Sequence, residues 1–176
     1  NATVFSYWVD NYIQWLPQSA SVWTPKNIRS VWSRGGDVMV EYLQKNTSHT
    51  LWIRMQYGLS RCTNTKDTQA AAIGRQLLYV PIHKAGVTAG FTKKQWHVIA
   101  SVSYLGKRFD TTDNFQSLRP AITGLLKTEY RFNINRISIQ SGVGIDNLWQ
   151  TDYQLLRSYP MPRRSITFFA TFQFNS

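Results

Sequence analysis

Cysteine is nearly missing from this chain: Cys62 is the only one in 176 residues. A single thiol excludes an intrachain disulfide framework. His49, His83 and His97 share no metal-ligand spacing with it or with one another, so no metal site is expected. Long apolar runs are also lacking, and no stretch approaches the ~20 residues of a membrane-spanning helix. Acidic residues are few, nine against 20 Lys and Arg, for a formal charge of +11. Such a balance attracts polyanions, yet the basic residues come as pairs such as Lys93-Lys94 and Arg163-Arg164, never as a run of five. Nucleic-acid modules concentrate their charge in a patch or a recognisable motif, so no nucleic-acid partner is expected. Nucleophile-elbow, phosphate-loop and dinucleotide fingerprints are missing as well. The reading is therefore not an enzyme, with no catalytic residue and no cofactor assigned. The chain opens on Asn1 without a signal peptide, which reads as a processed or partial chain.

What is present is aromatic and periodic. Aromatic residues make up 14%, with seven Trp. Eight segments alternate apolar and polar residues, as in Leu51-Trp52-Ile53-Arg54-Met55-Gln56-Tyr57 and Ile137-Ser138-Ile139-Gln140-Ser141-Gly142-Val143. Period two marks a strand with one apolar and one polar face. The expected strands are 4–15, 31–43, 51–59, 83–91, 96–104, 121–132, 136–146 and 165–174. Short turns fall at 45–49, 92–95 and 133–135; long loops fall at 17–29, 62–81, 105–120 and 148–164. All short turns thus lie at one end of the array and all long loops at the other, the build of an up-and-down barrel in an outer membrane. Averaged hydropathy does not oppose this, because lipid-facing and lumen-facing residues cancel in any window.

The faces can be read in detail. Residues 96–104 set Trp96, Val98, Ala100, Val102 and Tyr104 against His97, Ser101 and Ser103, with aromatic ends and an aliphatic middle, as an apolar band with interfacial girdles requires. Leu126, Tyr130 and Phe132 oppose Lys127, Glu129 and Arg131, and Ile166, Phe168, Ala170, Phe172 and Phe174 oppose Thr167, Thr171 and Gln173. In the first strand Phe5, Tyr7, Val9, Ile13 and Trp15 are expected outside, with Ser6, Asp10 and Gln14 facing a wet lumen. Pro17 and Pro25 are expected to end pairing, and Gly35-Gly36 permits a bulge. Ala70-Ala71-Ala72 allows about one turn of helix.

The C-terminal third carries Asn147-Leu148-Trp149, Tyr153, then Tyr159-Pro160-Met161-Pro162-Arg163-Arg164 and an alternating strand ending in Phe174. This resembles the end of TonB-dependent outer-membrane receptors, where an Asn-Leu-aromatic stretch and a Tyr-Pro-Met-Pro-Gly-Arg-like loop precede the closing strand. Trp23-Thr24-Pro25-Lys26-Asn27 before Arg34-Gly35-Gly36-Asp37 is similar to the family's Trp-x-Pro-x-Asn loop and Arg-Gly-x-Glu strand start, and Tyr79-Val80-Pro81-Ile82-His83-Lys84 to its Val-Pro-x-His-Lys segment. The order matches over nearly the whole chain. Two departures are Arg163 at the usual Gly and Asn175-Ser176 after the usual terminal aromatic.

The resemblance implies an all-β chain, 1–176, forming about eight strands at the C-terminal part of a ~22-stranded barrel, with the plug domain and earlier strands elsewhere. It implies an active importer of a scarce nutrient, a metal chelate such as a siderophore, haem or cobalamin, in a Gram-negative outer membrane. The implied partners are the remaining strands and plug, the TonB energy-coupling complex, lipid and lipopolysaccharide, and a surface lipoprotein of the kind found in some relatives. Loop aromatics and cations are the candidate ligand contacts: Trp23, Lys26, Tyr79, Arg108, Phe109, Trp149, Tyr153 and Tyr159. Aromatic faces suit macrocyclic ligands and cations suit anionic chelates. Tyr79, Trp149 and Tyr159 equally fit a plainer role as anchors at the outer interface. Two other readings stand beside this one: a self-contained eight-stranded outer-membrane barrel acting as anchor or adhesin, and a soluble basic β-barrel binding nucleic acid or a small ligand.

Overall fold

A computed structural model describes residues 1–17, 22–67 and 70–174 of the chain. The strands are β1 (Ala2–Pro17), β2 (Trp23–Lys45), β3 (His49–Lys66), β4 (His83–Lys93), β5 (Trp96–Leu105), β6 (Arg108–Phe109), β7 (Ser117–Leu118), β8 (Ala121–Ile134), β9 (Ile137–Asp146), β10 (Gln154–Leu156), β11 (Tyr159–Pro160) and β12 (Ser165–Phe174). Eight of them form one antiparallel sheet in the order β1-β2-β3-β4-β5-β8-β9-β12, while β6-β7 and β10-β11 are small ribbons within loops. Each of the eight covers an expected segment, β2 and β3 reaching well beyond theirs at the long-loop end, and the alanine run forms a single 3₁₀ turn, Ala70–Ala72. Lys94 and Asn135 take left-handed backbone (φ 52° each) in the two-residue turns that join β4 to β5 and β8 to β9. Among the described residues β1 and β12 each have one neighbour and do not pair with each other, so the eight strands form an open wall.

Register carries one face across the whole sheet. Val40 lies opposite Met55, Met55 opposite Val87, Val87 opposite Val102 and Val102 opposite Gly124. Thr128 continues this face to Val143, and Val143 to Phe168. These residues are uncovered: Val40 is 55% exposed, Val102 43% and Phe168 80%. The buried apolar residues are instead Val31, Ala72, Leu77, Leu78, Leu118 and Ala121, gathered at the long-loop end. A folded protein in water does not leave a contiguous apolar wall of this size bare. The expected faces of β5, β8 and β12 are all found, and β3 alternates as expected.

The first strand corrects its expectation. Its register pairs Val4 with Gly36, Ser6 with Arg34 and Trp8 with Trp32, and the even positions of β2 are the apolar-wall side. Ser6 and Asp10 therefore stand on the apolar-wall side, while Phe5, Tyr7 and Val9 stand with Asp37 and Met39 on the polar side. Phe5 confirms it by covering the Gly35 side of the sheet. The alternation inverts at Asn11, whose φ of 55° is left-handed, a conformation Asn tolerates better than most residues. Beyond it Tyr12 packs with Val31 and Leu77, and Gln14 donates to the Leu78 carbonyl at 3.3 Å, both on the polar side. Ile13 and Trp15 face out as expected, 62% and 59% exposed.

Two further expectations are corrected. Pro17 pairs with Trp23 and Trp15 with Pro25, so β2 begins eight residues earlier than expected; a proline at a ladder's end forfeits little pairing. The bulge between β2 and β3 falls at Ser30/Val31, and Gly35-Gly36 keeps register. Gly35 is needed for close approach: a Cβ there would sit 2.0 Å from the Leu59 carbonyl oxygen. Asn175-Ser176 lies outside the described residues.

Candidate ligand-binding site at the loop end

The polar face carries ion pairs and side-chain hydrogen bonds along its length. Arg54 pairs with Glu41 at 2.6 Å. Lys127 pairs with Glu129 at 2.5 Å, Gln140 donates to Glu129 at 2.5 Å, and Arg131 donates to Gln140 at 3.1 Å. Thr92 meets His97 at 2.6 Å and Thr88 meets Ser101 at 3.2 Å. Aromatics cover glycines of neighbouring strands on this side, Trp52 over Gly90 and Phe169 over Gly142, which restores packing that a bare glycine loses.

At the long-loop end three loops fold onto one another through buried polar groups. The Gln76 side chain accepts from the Cys62 N–H at 3.0 Å and donates to the carbonyls of Ser60 and Val80. Its main chain is bracketed by Asn114, which accepts from the Gln76 N–H at 2.8 Å and donates to the Gln76 carbonyl at 3.0 Å. The Tyr79 N–H reaches the Phe109 carbonyl at 2.8 Å. Asp110, 5% exposed, is paired with Arg157 of the last loop. The Asp110 hydrogen bond raises the Arg157 pKa further above its ordinary value. Asn147 closes the last loop by donating to the Thr151 and Pro162 carbonyls.

The expected contact residues divide. Trp23 and Tyr79 come together, with ring centroids 5.9 Å apart. Lys26, half-buried, lies opposite Gln14, whose amide contacts the neighbouring Leu78 carbonyl. Tyr79 holds a left-handed backbone (φ 59°), unusual for an aromatic residue. Burial raises its phenol pKa, opposed by a hydrogen bond from the Arg157 main chain and reinforced by the charge of Asp110. Tyr153 lines two recesses of about 360 and 370 Å³, one with Ser101, Asp146 and Arg163, the other with Arg119, Asp152 and Arg157. Tyr159, 51% exposed, projects from the β10–β11 ribbon.

Three candidates take other places. Arg108 is 2% exposed and donates to the Arg119 carbonyl at 3.3 Å, so it braces a loop; burial lowers its pKa. Phe109 lies beneath the Lys107 ammonium, 4.9 Å from its ring centroid, and gives its carbonyl to Tyr79. Trp149 folds over Gly124, on the apolar side of the wall. Sequence reasoning did not single out Gln76, Asp110, Asn114 or Arg157, because lone polar residues in loops carry no periodicity. Among the described residues no group of three His, Cys, Asp or Glu side chains is arranged to hold a metal ion.

An apolar outer wall, a polar inner face, tight turns at one end and an interlocked roof at the other define a segment of a membrane β-barrel. The chain belongs to the family described as TonB dependent receptor-like, beta-barrel, whose model matches residues 1–148. Solved structures share the fold. The copper transporter OprC superposes with a TM-score of 0.69 at 18% identity, over 98% of this chain and 28% of that one. The ferric-catecholate import receptor Fiu of E. coli K12 gives 0.67 at 18% identity, over 96% and 24%. The P. aeruginosa receptor FpvA, solved with an iron-loaded pyoverdine, gives 0.64 at 12% identity, over 97% and 24%. The chain thus spans about a quarter of the length of these relatives. No curated protein matches it.

Proposed function

We propose that this chain is the C-terminal part of the barrel of an active importer in a Gram-negative outer membrane. Its loop roof captures a scarce nutrient, a metal chelate such as a siderophore, haem or cobalamin. In this reading the remaining strands and the plug domain complete the barrel, the TonB complex supplies energy through the plug, and lipopolysaccharide and a surface lipoprotein are the further partners. The chain carries no catalysis of its own. The observation that supports this best is the Trp23–Tyr79 ring pair, joined through the Arg157 main chain to the recess that Tyr153 lines with Arg119 and Arg157. Flat aromatic faces and guanidinium donors suit an anionic chelate.

The experiment is uptake in cells carrying the full receptor, with labelled iron as a catecholate chelate, haemin and cyanocobalamin as probes. One of these is taken up, and Trp23→Ala with Tyr79→Ala lowers that uptake about tenfold, equivalent to about 1.4 kcal/mol, at unchanged receptor level in the membrane. Unchanged uptake in the double variant removes the roof from the mechanism. An intact mass near 20.4 kDa for the native membrane-extracted protein removes the larger-barrel reading.

A further inference from the structure

The wall above the apolar band holds two arginines side by side. Arg34 of β2 and Arg61 of β3 are direct partners in the ladder. Both are on the outward side, because register runs without a shift from Val38 and Tyr57 to this pair. Like charges directly opposite one another destabilise a sheet. Among the described residues neither guanidinium has an acidic partner: Arg34 donates to Thr63 at 3.2 Å, and Arg61 is exposed with no ion pair. Asp10 shares the face but pairs across the ladder with Ser30, four residues from Arg34.

The surroundings are as specific as the charges. The Arg34 guanidinium lies 3.7 Å from the Trp32 ring centroid. Trp32 stacks on Trp8 at 4.9 Å and 5°, and its indole N–H donates to Ser6 at 2.9 Å. Trp8 is 61% exposed. Two residues below Arg61, about 7 Å along the strand, lies Leu59, 40% exposed on the outward face, and below it Tyr57 meets His83 at 2.8 Å. The pair of guanidiniums therefore stands directly over the apolar band, where lipid phosphates lie, beside a rigid indole platform.

We infer that Arg34 and Arg61, with the Trp8–Trp32 stack, bind the phosphorylated headgroup of an outer-leaflet glycolipid. Guanidinium forks match phosphate oxygens in a bidentate manner, and the bound anion relieves the repulsion between the pair. The indoles give an acyl chain or sugar ring a flat surface to lie against. The inference rests on the outer-membrane reading above and names the lipid that the wall recognises.

The test uses the native receptor purified in detergent, with bisphosphorylated lipid A, its dephosphorylated form and inorganic phosphate as probes. Bound lipid is read by native mass spectrometry and the thermal midpoint by scanning fluorimetry. Bisphosphorylated lipid A binds and raises the midpoint. Dephosphorylation, or Arg34→Gln with Arg61→Gln, weakens binding about tenfold or more, and inorganic phosphate leaves the midpoint in place. Equal binding by the double variant overturns the site, and stabilisation by inorganic phosphate alone overturns the lipid as its ligand. If the glutamine variant fails to assemble, Arg34→Lys with Arg61→Lys reads the same point: intermediate binding upholds bidentate recognition and unchanged binding overturns it. Failure of the importer reading is seen separately, as loss of membrane fractionation or of probe uptake.

Discussion

The wall and the roof of this molecule are held together by opposite means. The wall has long ladders, and its buried side chains, such as Val31, Ser33 and Thr63, sit at the loop end; its outward residues, such as Phe168 and Val40, meet the surrounding medium. The roof has short ribbons and little regular pairing, yet it contains the buried residues Gln76, Asp110, Arg108 and Asn147. In the wall, repetition suffices, because every backbone group finds its partner in the next strand and the bilayer accepts the apolar face. In the roof each buried polar group needs its own partner, since an unpaired one costs about 1–3 kcal/mol. The difference teaches where change is tolerated: the wall is sensitive to which face a residue occupies, the roof to which atom it presents.

The sharpest way to break the comparison is to place one charge on each face at adjacent positions of β4. Val87→Arg puts a cation into the apolar band and costs about 2–4 kcal/mol, whereas Thr88→Arg on the polar face costs less than about 1 kcal/mol. Urea unfolding from lipid vesicles measures both, and equal costs would mean that the uncovered face does not meet hydrocarbon. Next is the roof's buried carboxylate. Asp110→Ala leaves the Arg157 guanidinium without its acceptor and costs about 2 kcal/mol of local stability, read as faster amide exchange in residues 108–118 with the β3–β5 amides unchanged. Loosening that spread evenly into the wall would show the two regions to be one cooperative unit.

A smaller effect is expected at the inversion point of β1. Asn11→Val places a β-branched residue at φ 55° and costs about 1–2 kcal/mol, while Asn11→Gly costs little. Should both variants keep wild-type stability, the inversion of β1 faces is not enforced there. The smallest effect is a pH response confined to the 111–116 turn. Thr111 donates to the Asp113 carboxylate at 2.6 Å and the Phe115 N–H donates to it at 3.0 Å, and these bonds, the Thr111 one foremost, lower the Asp113 pKa from 3.8. A lowered carboxyl pKa contributes stability that is complete above the unfolded value and lost as pH falls through the folded one. Exchange at Phe115 and Gln116 therefore rises only at pH below about 3.8, and Asp113→Asn abolishes that step.

The strands were legible because alternation is a local property of consecutive residues. Leu51 to Leu59 and Ile166 to Phe174 show their faces without reference to any partner. β1 was half misread because Asn11 leaves no mark in composition, and a left-handed residue exchanges the faces of everything on one side of it. The start of β2 was misread because Trp23-Thr24-Pro25 looks like a loop until Trp15 lies opposite Pro25. Of the candidate site, Trp23, Tyr79 and Tyr153 were within reach of sequence reasoning as loop aromatics, whereas Trp149 needed the fold to place it over Gly124 on the outer wall.

Strand number, the end at which the long loops gather, and the two-faced character of the wall follow from residue order, because period-two alternation and turn length act between near neighbours. Which loop residues meet, the pairing of Asp110 with Arg157 across 47 positions, and the juxtaposition of Arg34 with Arg61 are decided only in three dimensions. Those contacts depend on register and loop closure, and a polar side chain in a loop has no periodic signal that names its partner.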